Sequence, residues 1–189
     1  LPYAVRQLLI GVLFGGLAIL GTEFGIKTDG AIINARDASP ICAGLLFGAP
    51  AGIIAGLIGG VERWFAVLWG AGQYTRLACS ISTVLAGVFA AVLRKFMFDN
   101  KKPKWYYCLA TATITEVIHM LMIFLTNMTD ARTAFSFVRT CSLPMIAVNS
   151  LAVMLAGLLL SILSGADRKS ERRDLKKISQ SFQRFLLIC

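Results

Sequence analysis

Ala38–Trp69 reads ASPICAGLLFGAPAGIIAGLIGGVERWFAVLW, and how this stretch crosses a bilayer decides the fold. As one helix it would measure about 48 Å, against a hydrocarbon slab of about 30 Å. Its middle, Phe47-Gly-Ala-Pro50, carries a proline, which removes a backbone donor and breaks a helix. Two short helices, roughly 31–48 and 50–69, are therefore predicted in place of one.

Working outward, four more apolar stretches appear at Leu8–Leu20, Leu77–Leu93, Trp105–Leu125 and Cys141–Leu163. The expected fold is all-α, an integral membrane bundle of six helical segments whose second and third are short and meet at Gly48–Pro50. Bulk composition agrees. Only 15% of the 189 residues are charged and 57% are hydrophobic, with mean hydropathy +0.71. A soluble domain has about a quarter of its residues charged.

Charge orients the bundle. With six crossings, one face collects Arg6, the basic loop 94–104 and the basic tail 168–184, and carries the whole net charge of +9. The opposite face has equal numbers of Lys/Arg and acids. Lys and Arg concentrate in short cytoplasmic loops, so both ends are placed inside. Five crossings, which would put the acidic 21–30 loop inside, are the alternative. Trp105-Tyr-Tyr107 at one boundary and Trp64, Trp69 and Tyr74 at the other read as interfacial belts.

Gly44, Gly48, Gly52, Gly56 and Gly60 recur every fourth residue, a smooth stripe on which another helix can lie. No Lys-Ser/Thr follows and no strand precedes, so this is no phosphate loop. The five cysteines are scattered, and the single His119 has no partner at metal-ligand spacing along the chain. No cofactor and no metal are expected. One histidine and scattered acids assemble no nucleophile–base pair, so no enzyme is expected within these residues. The basic charge is explained by topology, which leaves no face for nucleic acid.

Arg36, Asp37, Arg63 and Glu116 lie inside or at the edge of apolar segments, where ionisable groups are costly and usually functional. The six-segment topology puts Arg36, Arg63, Arg76, Cys79, Ser82, Glu116, His119, Arg139 and Ser142 in the outer half of the bilayer. Arginines converging on a partly buried space repel one another unless an anion lies between them, and a guanidinium grips a carboxylate in bidentate fashion. The expectation is an outward-facing pocket for a small anion, with Arg36 and Arg63 as clamps and Cys79 and Ser82 one turn apart on its wall. Two blander readings compete. Asp37, Glu62 and Glu116 could pair with the arginines as structural ion pairs, and Arg63 could be a snorkelling anchor. Arg76 and Arg139 are read as interfacial anchors.

Residues 1–165 are taken as the bundle. Residues 166–189 are taken as a basic juxtamembrane helix, with Leu175, Ile178, Phe182 and Phe185 at three- and four-residue steps, leading into a truncated apolar run. Such a helix lies on anionic headgroups or pairs with its twin as a homodimer. The start at Leu1 and the apolar end at Cys189 read as a piece of a longer protein.

Asn34-Ala-Arg36-Asp37, Ala43-Gly-Leu-Leu-Phe-Gly48, Gly52-Ile-Ile-Ala-Gly56, Gly60-Val-Glu-Arg63 and Cys79-Ser-Ile-Ser82 together resemble the membrane receptor domain of the LytS/YhcK type. The hydropathy of the rest follows the same layout. The resemblance implies the sensory module of a bacterial signalling protein in the cytoplasmic membrane, with a kinase, cyclase or phosphatase as output. It also implies a receptor for a small carboxylate such as pyruvate, with anion-binding residues at Arg36, Arg63, Cys79 and Ser82. Asn34, from the same motif as Arg36, and His119 complete the candidate ligand-binding set. The stretch Trp64–Tyr74 is longer than usual for that family. The Gly-Leu-Leu-Phe-Gly-Ala-Pro run is also similar to the substrate-binding subunits of energy-coupling-factor vitamin transporters, which supplies the rival function of vitamin capture.

Overall fold

The computed structural model describes residues 1–28, 31–69 and 72–188, and among them the side chains of 1–26, 32–68 and 72–165. The first helix, α1, is Tyr3–Glu23. A small hairpin follows, β1 (Ile26–Thr28) against β2 (Ala31–Ile33), with Ile26 opposite Ile33 and Thr28 opposite Ala31. Helix α2 (Ala38–Cys42) runs on as a π-helical turn, Ala43–Phe47, and α3 (Ala49–Phe65) begins after Gly48. Then come α4 (Arg76–Phe96), α5 (Trp105–Thr126) and α6 (Ala131–Ile188).

Two boundaries differ from the sequence expectation. The second helix starts at Ala38 rather than 31, because the chain first pairs with itself as the hairpin. The last helix starts at Ala131 rather than Cys141, because Asp130 Oδ1 accepts the Thr133 amide at 3.2 Å and caps it. The polar residues after that cap are absorbed by the helix itself, as when Thr140 Oγ1 donates to the Ser136 carbonyl at 3.0 Å.

Five helices are long and apolar enough to cross a membrane, and Ala38–Phe47 is a shorter apolar helix. At 1.5 Å per residue that short helix rises only about 15 Å. It nevertheless returns the chain across the bundle. Gly21 of α1 lies against the Arg36 backbone, while Gln7, near the other end of α1, donates to the Phe47 carbonyl at 3.1 Å. Helix α3 then runs parallel to α1, with Gly11 against Ile54 and Gly15 against Ile58. Helix α4 returns, Gly60 meeting Ser80 and Gly44 meeting Ala90. Six segments thus alternate in direction.

The break at Gly48 leaves backbone groups that lipid cannot satisfy. Gln7 satisfies both sides of it, donating to the Phe47 carbonyl and accepting the Ala51 amide at 3.2 Å. Arg94 donates to the Leu45 carbonyl of the π-turn and, at 2.9 Å, to that of Asn100. Gly48 has φ +156°, a conformation that side chains rarely adopt, and a Cβ there would strike Gln7.

The glycine ladder is where α3 and α4 approach most closely. A Cβ on Gly56 would lie 3.0 Å from the Thr83 carbonyl oxygen, and one on Gly60 2.8 Å from that of Ser80. Outward, α1 exposes Leu8, Leu9, Val12, Leu13 and Leu17, a surface suited to hydrocarbon. Cys79, Met120, Ile123, Cys141 and Met145 form the apolar cluster joining α4, α5 and α6. Contacts divide the chain into the bundle Leu1–Gly157 and a second unit, Leu158–Cys189. The juxtamembrane pairing read at 166–189 lies outside the residues whose side chains are described.

Candidate functional site

Between β2 and α2 the chain makes an irregular turn, 34–37, that a membrane interior would not tolerate unless its polar groups were paired. Asn34 pairs them locally, accepting the Arg36 amide on Oδ1 at 3.2 Å and donating to the Ile32 carbonyl at 3.3 Å. Asn149, from α6, pairs the rest. It accepts the Ala38 amide at 2.8 Å and donates to the Asn34 carbonyl at 3.0 Å. This pinned turn aims Arg36 and Asp37 into the bundle, where they are 0% and 1% exposed.

Arg36 Nε donates to Asp37 Oδ1 at 3.1 Å and to Thr83 Oγ1 at 2.7 Å, and Thr83 in turn donates to Asp37 Oδ1 at 2.6 Å. Nη2 reaches the Cys79 carbonyl at 3.5 Å, while Nη1 is buried without a partner among the described residues. Arg63 comes from the last turn of α3. Its Nη2 donates to the Gly72 carbonyl at 2.7 Å and to Thr75 Oγ1 at 3.1 Å. The long Trp64–Tyr74 connection thus folds back onto this guanidinium. Gly72, at φ +59°, has no room for a Cβ beside it. Both guanidinium groups lie within electrostatic range of Cys79 and of each other.

His119 stands between two layers of the site. Its Nε2 lies 3.3 Å from Cys79 Sγ, and its Nδ1 lies 2.9 Å from Asp37 Oδ2 and 3.5 Å from Glu116 Oε2. Donor atoms of Asp37, Glu116 and His119 fall within 4.8 Å of one another, a grouping invisible in linear spacing that a cation could bridge. The 2.9 Å approach of Nδ1 to Oδ2 is a close polar contact and not an aligned hydrogen bond, since neither atom has a hydrogen-bond partner among the described residues, and the Arg36 guanidinium on Asp37 repels a metal ion. The arrangement is therefore read as a buried polar cluster in which His119 hydrogen-bonds to Cys79 and stands in close polar contact with Asp37 and Glu116.

Ser82 is 4% exposed, with no partner for Oγ among the described residues. It lines a cleft of ≈ 260 Å³ between α4 and α5, together with Thr115, His119 and the apolar Leu85, Val88 and Phe89. Of the six candidates, Arg36, Arg63, Cys79 and His119 meet at one cluster, and Ser82 is one turn further along α4. Asn34 does not point into that cluster, because its amide is spent on the backbone turn. Thr83 and Asn149 were not singled out from sequence. Thr83 had a signal, lying one turn from Cys79 on the same helix face. Asn149, isolated in an apolar run, had only its polarity. Arg76, at the rim, donates to the Trp64 carbonyl at 2.8 Å and stacks on that indole at 4.1 Å.

A family profile described as 5TMR of 5TMR-LYT matches residues 3–163. The chain is similar to the sensor histidine kinase BtsS of Escherichia coli (strain K12), 27% identical over 79% of this chain and 26% of that protein. It is also similar to the sensor histidine kinase YpdA of the same strain, 25% identical over 92% of this chain and 30% of that protein. A third relative is the sensor protein LytS of Staphylococcus epidermidis (strain ATCC 35984), 32% identical over 68% of this chain and 21% of that protein. The chain thus spans about a quarter of the length of these curated relatives. No solved structure matches it.

Proposed function

From a chain that belongs to the LytS-type 5TMR receptor family, and is thereby the multi-pass inner-membrane sensor domain of a bacterial signalling protein, we propose a receptor for a small carboxylate. The ligand, pyruvate or an acid of that size, enters from the outer side and is held by Arg36 and Arg63, with Cys79 and Ser82 beside it and His119 behind the thiol. One observation carries this reading: Arg36 Nη1 is fully buried without a partner among the described residues, while Nη2 of the same guanidinium reaches the Cys79 carbonyl. Leaving a charged donor unpaired costs more than a neutral one, and a carboxylate satisfies it. Asn34 positions the Arg36 turn.

Binding between α2, α3 and α4 biases two helix arrangements by its differential affinity. The change passes along α6 to a downstream histidine kinase, and pairing of two tails makes the receptor a homodimer. The reported relatives carry sensor names, which favours a receptor over a vitamin-capture subunit. The test is thermal unfolding of the purified domain with and without pyruvate, acetate and lactate. Stabilisation is expected in wild type and lost in Arg63→Ala and Arg36→Lys. The lysine keeps the charge and removes the fork, so its loss of response is not a charge effect. If no small acid shifts the unfolding temperature, the carboxylate reading fails.

A further inference from the structure

Cys79, His119 and Asp37 form a line of thiol, imidazole and carboxylate. Sγ and Nε2 are 3.3 Å apart, and Nδ1 and Oδ2 are 2.9 Å apart. The hydrogen bond between thiol and imidazole lets the ring take the thiol proton, and the carboxylate 2.9 Å from Nδ1 favours the charge the ring then carries. Satisfying a buried histidine requires one donor and one acceptor, which any polar pair supplies. It does not require a sulfur, nor a buried hydroxyl one turn away that has no partner among the described residues, on a cleft that the same histidine lines.

We propose that Cys79 binds its ligand covalently and reversibly, adding to the carbonyl carbon of a 2-oxo acid whose carboxylate the arginines hold. The inference rests on the carboxylate reading and narrows it to acids with an electrophilic carbon next to the carboxylate. In the step, the thiol proton passes to His119 Nε2 and the sulfur lone pair forms an S–C2 bond. The C2=O π bond breaks, and the oxygen keeps that electron pair and takes the proton back from Nε2. Ser82 donates a hydrogen bond to the new hydroxyl oxygen. Nothing leaves, no oxidant is consumed, and reversal returns the free acid. A 2-hydroxy acid of the same size and charge makes the arginine contacts but cannot add.

The decisive measurement is a carbon NMR spectrum of the full chain in detergent with pyruvate labelled at C2, alongside binding titrations with pyruvate and lactate. A bound tetrahedral C2 resonance is expected, together with a preference for pyruvate of about tenfold or more, equivalent to about 1.4 kcal/mol. In Cys79→Ala the tetrahedral signal should vanish and the two acids should bind alike. A bound C2 that keeps its ketone resonance in the wild type overturns the proposal without needing any variant. An unchanged preference in Cys79→Ala does the same, and in both cases the carboxylate reading stands. Failure of both acids to bind the wild type removes the carboxylate reading and this one together.

Discussion

At Ser82 the hydroxyl has no protein partner among the described residues although it is buried, so its removal orphans nothing. Ser82→Ala should leave the unfolding temperature of the free domain nearly unchanged and reduce the shift produced by pyruvate. A variant that melts earlier but responds fully would place Ser82 in packing instead. Asn149 predicts the opposite pattern. Its replacement by leucine strands the Ala38 amide and the Asn34 carbonyl, at about 1–3 kcal/mol for each group. Asn149→Leu should therefore unfold well below wild type, and ligand response should fall with it, because the turn that aims Arg36 is no longer pinned. The two arginines were legible in the sequence because charge inside an apolar run has few uses. Asn149 was not, since its partners are backbone groups of a turn more than a hundred positions away, and nothing in linear order records that.

The decisive element is the broken second stretch. Its break was legible because Gly48 and Pro50 act on the backbone locally. What seals it was not, because Gln7 and Arg94 arrive from other helices. Gln7→Leu leaves the Phe47 carbonyl and the Ala51 amide without this partner, and a loss of about 1–3 kcal/mol for each is expected in equilibrium unfolding. The hairpin 26–33 was also readable, since Asp29-Gly30 between Ile26-Lys-Thr28 and Ala31-Ile-Ile33 is a turn signal, although 21–30 reads as a plain loop and 31 onward as helix. Along α3 the ladder makes a sharper prediction. Gly56→Val drives a side chain against the Thr83 carbonyl 3.0 Å away, so overpacking should cost about 1–3 kcal/mol or part α3 from α4. Gly16, on the same bundle but with nothing within 4 Å of an added Cβ, is the control. Gly16→Ala should be neutral or stabilising by up to about 1 kcal/mol, helix propensity being the only term that changes. Equal losses at both positions would mean that the ladder is not a contact surface.

For the molecule as a whole, the alternating direction of six segments puts the start of α1, the 94–104 loop and Gly157 on one face. Gly157 packs against Cys108 and Trp105. Arg36, Arg63, Cys79 and His119 lie toward the other. Which face looks outward is a matter of charge, because the basic residues of 94–104 and 168–184 mark the inside whatever the packing. Orientation determines what the receptor can sense: outward it samples the medium, inverted it would report an internal metabolite. Single cysteines at Lys102 and Thr129, both exposed, read this directly in a background where Cys189 is replaced by serine. The four remaining cysteines are buried and should label slowly. A membrane-impermeant maleimide applied to intact spheroplasts should modify Thr129→Cys at once and Lys102→Cys only after permeabilisation. The reverse pattern would turn the arginine cluster toward the cytoplasm. The same residues would then bind the same chemistry, but a carboxylate supplied from outside would elicit a response only in cells able to import it.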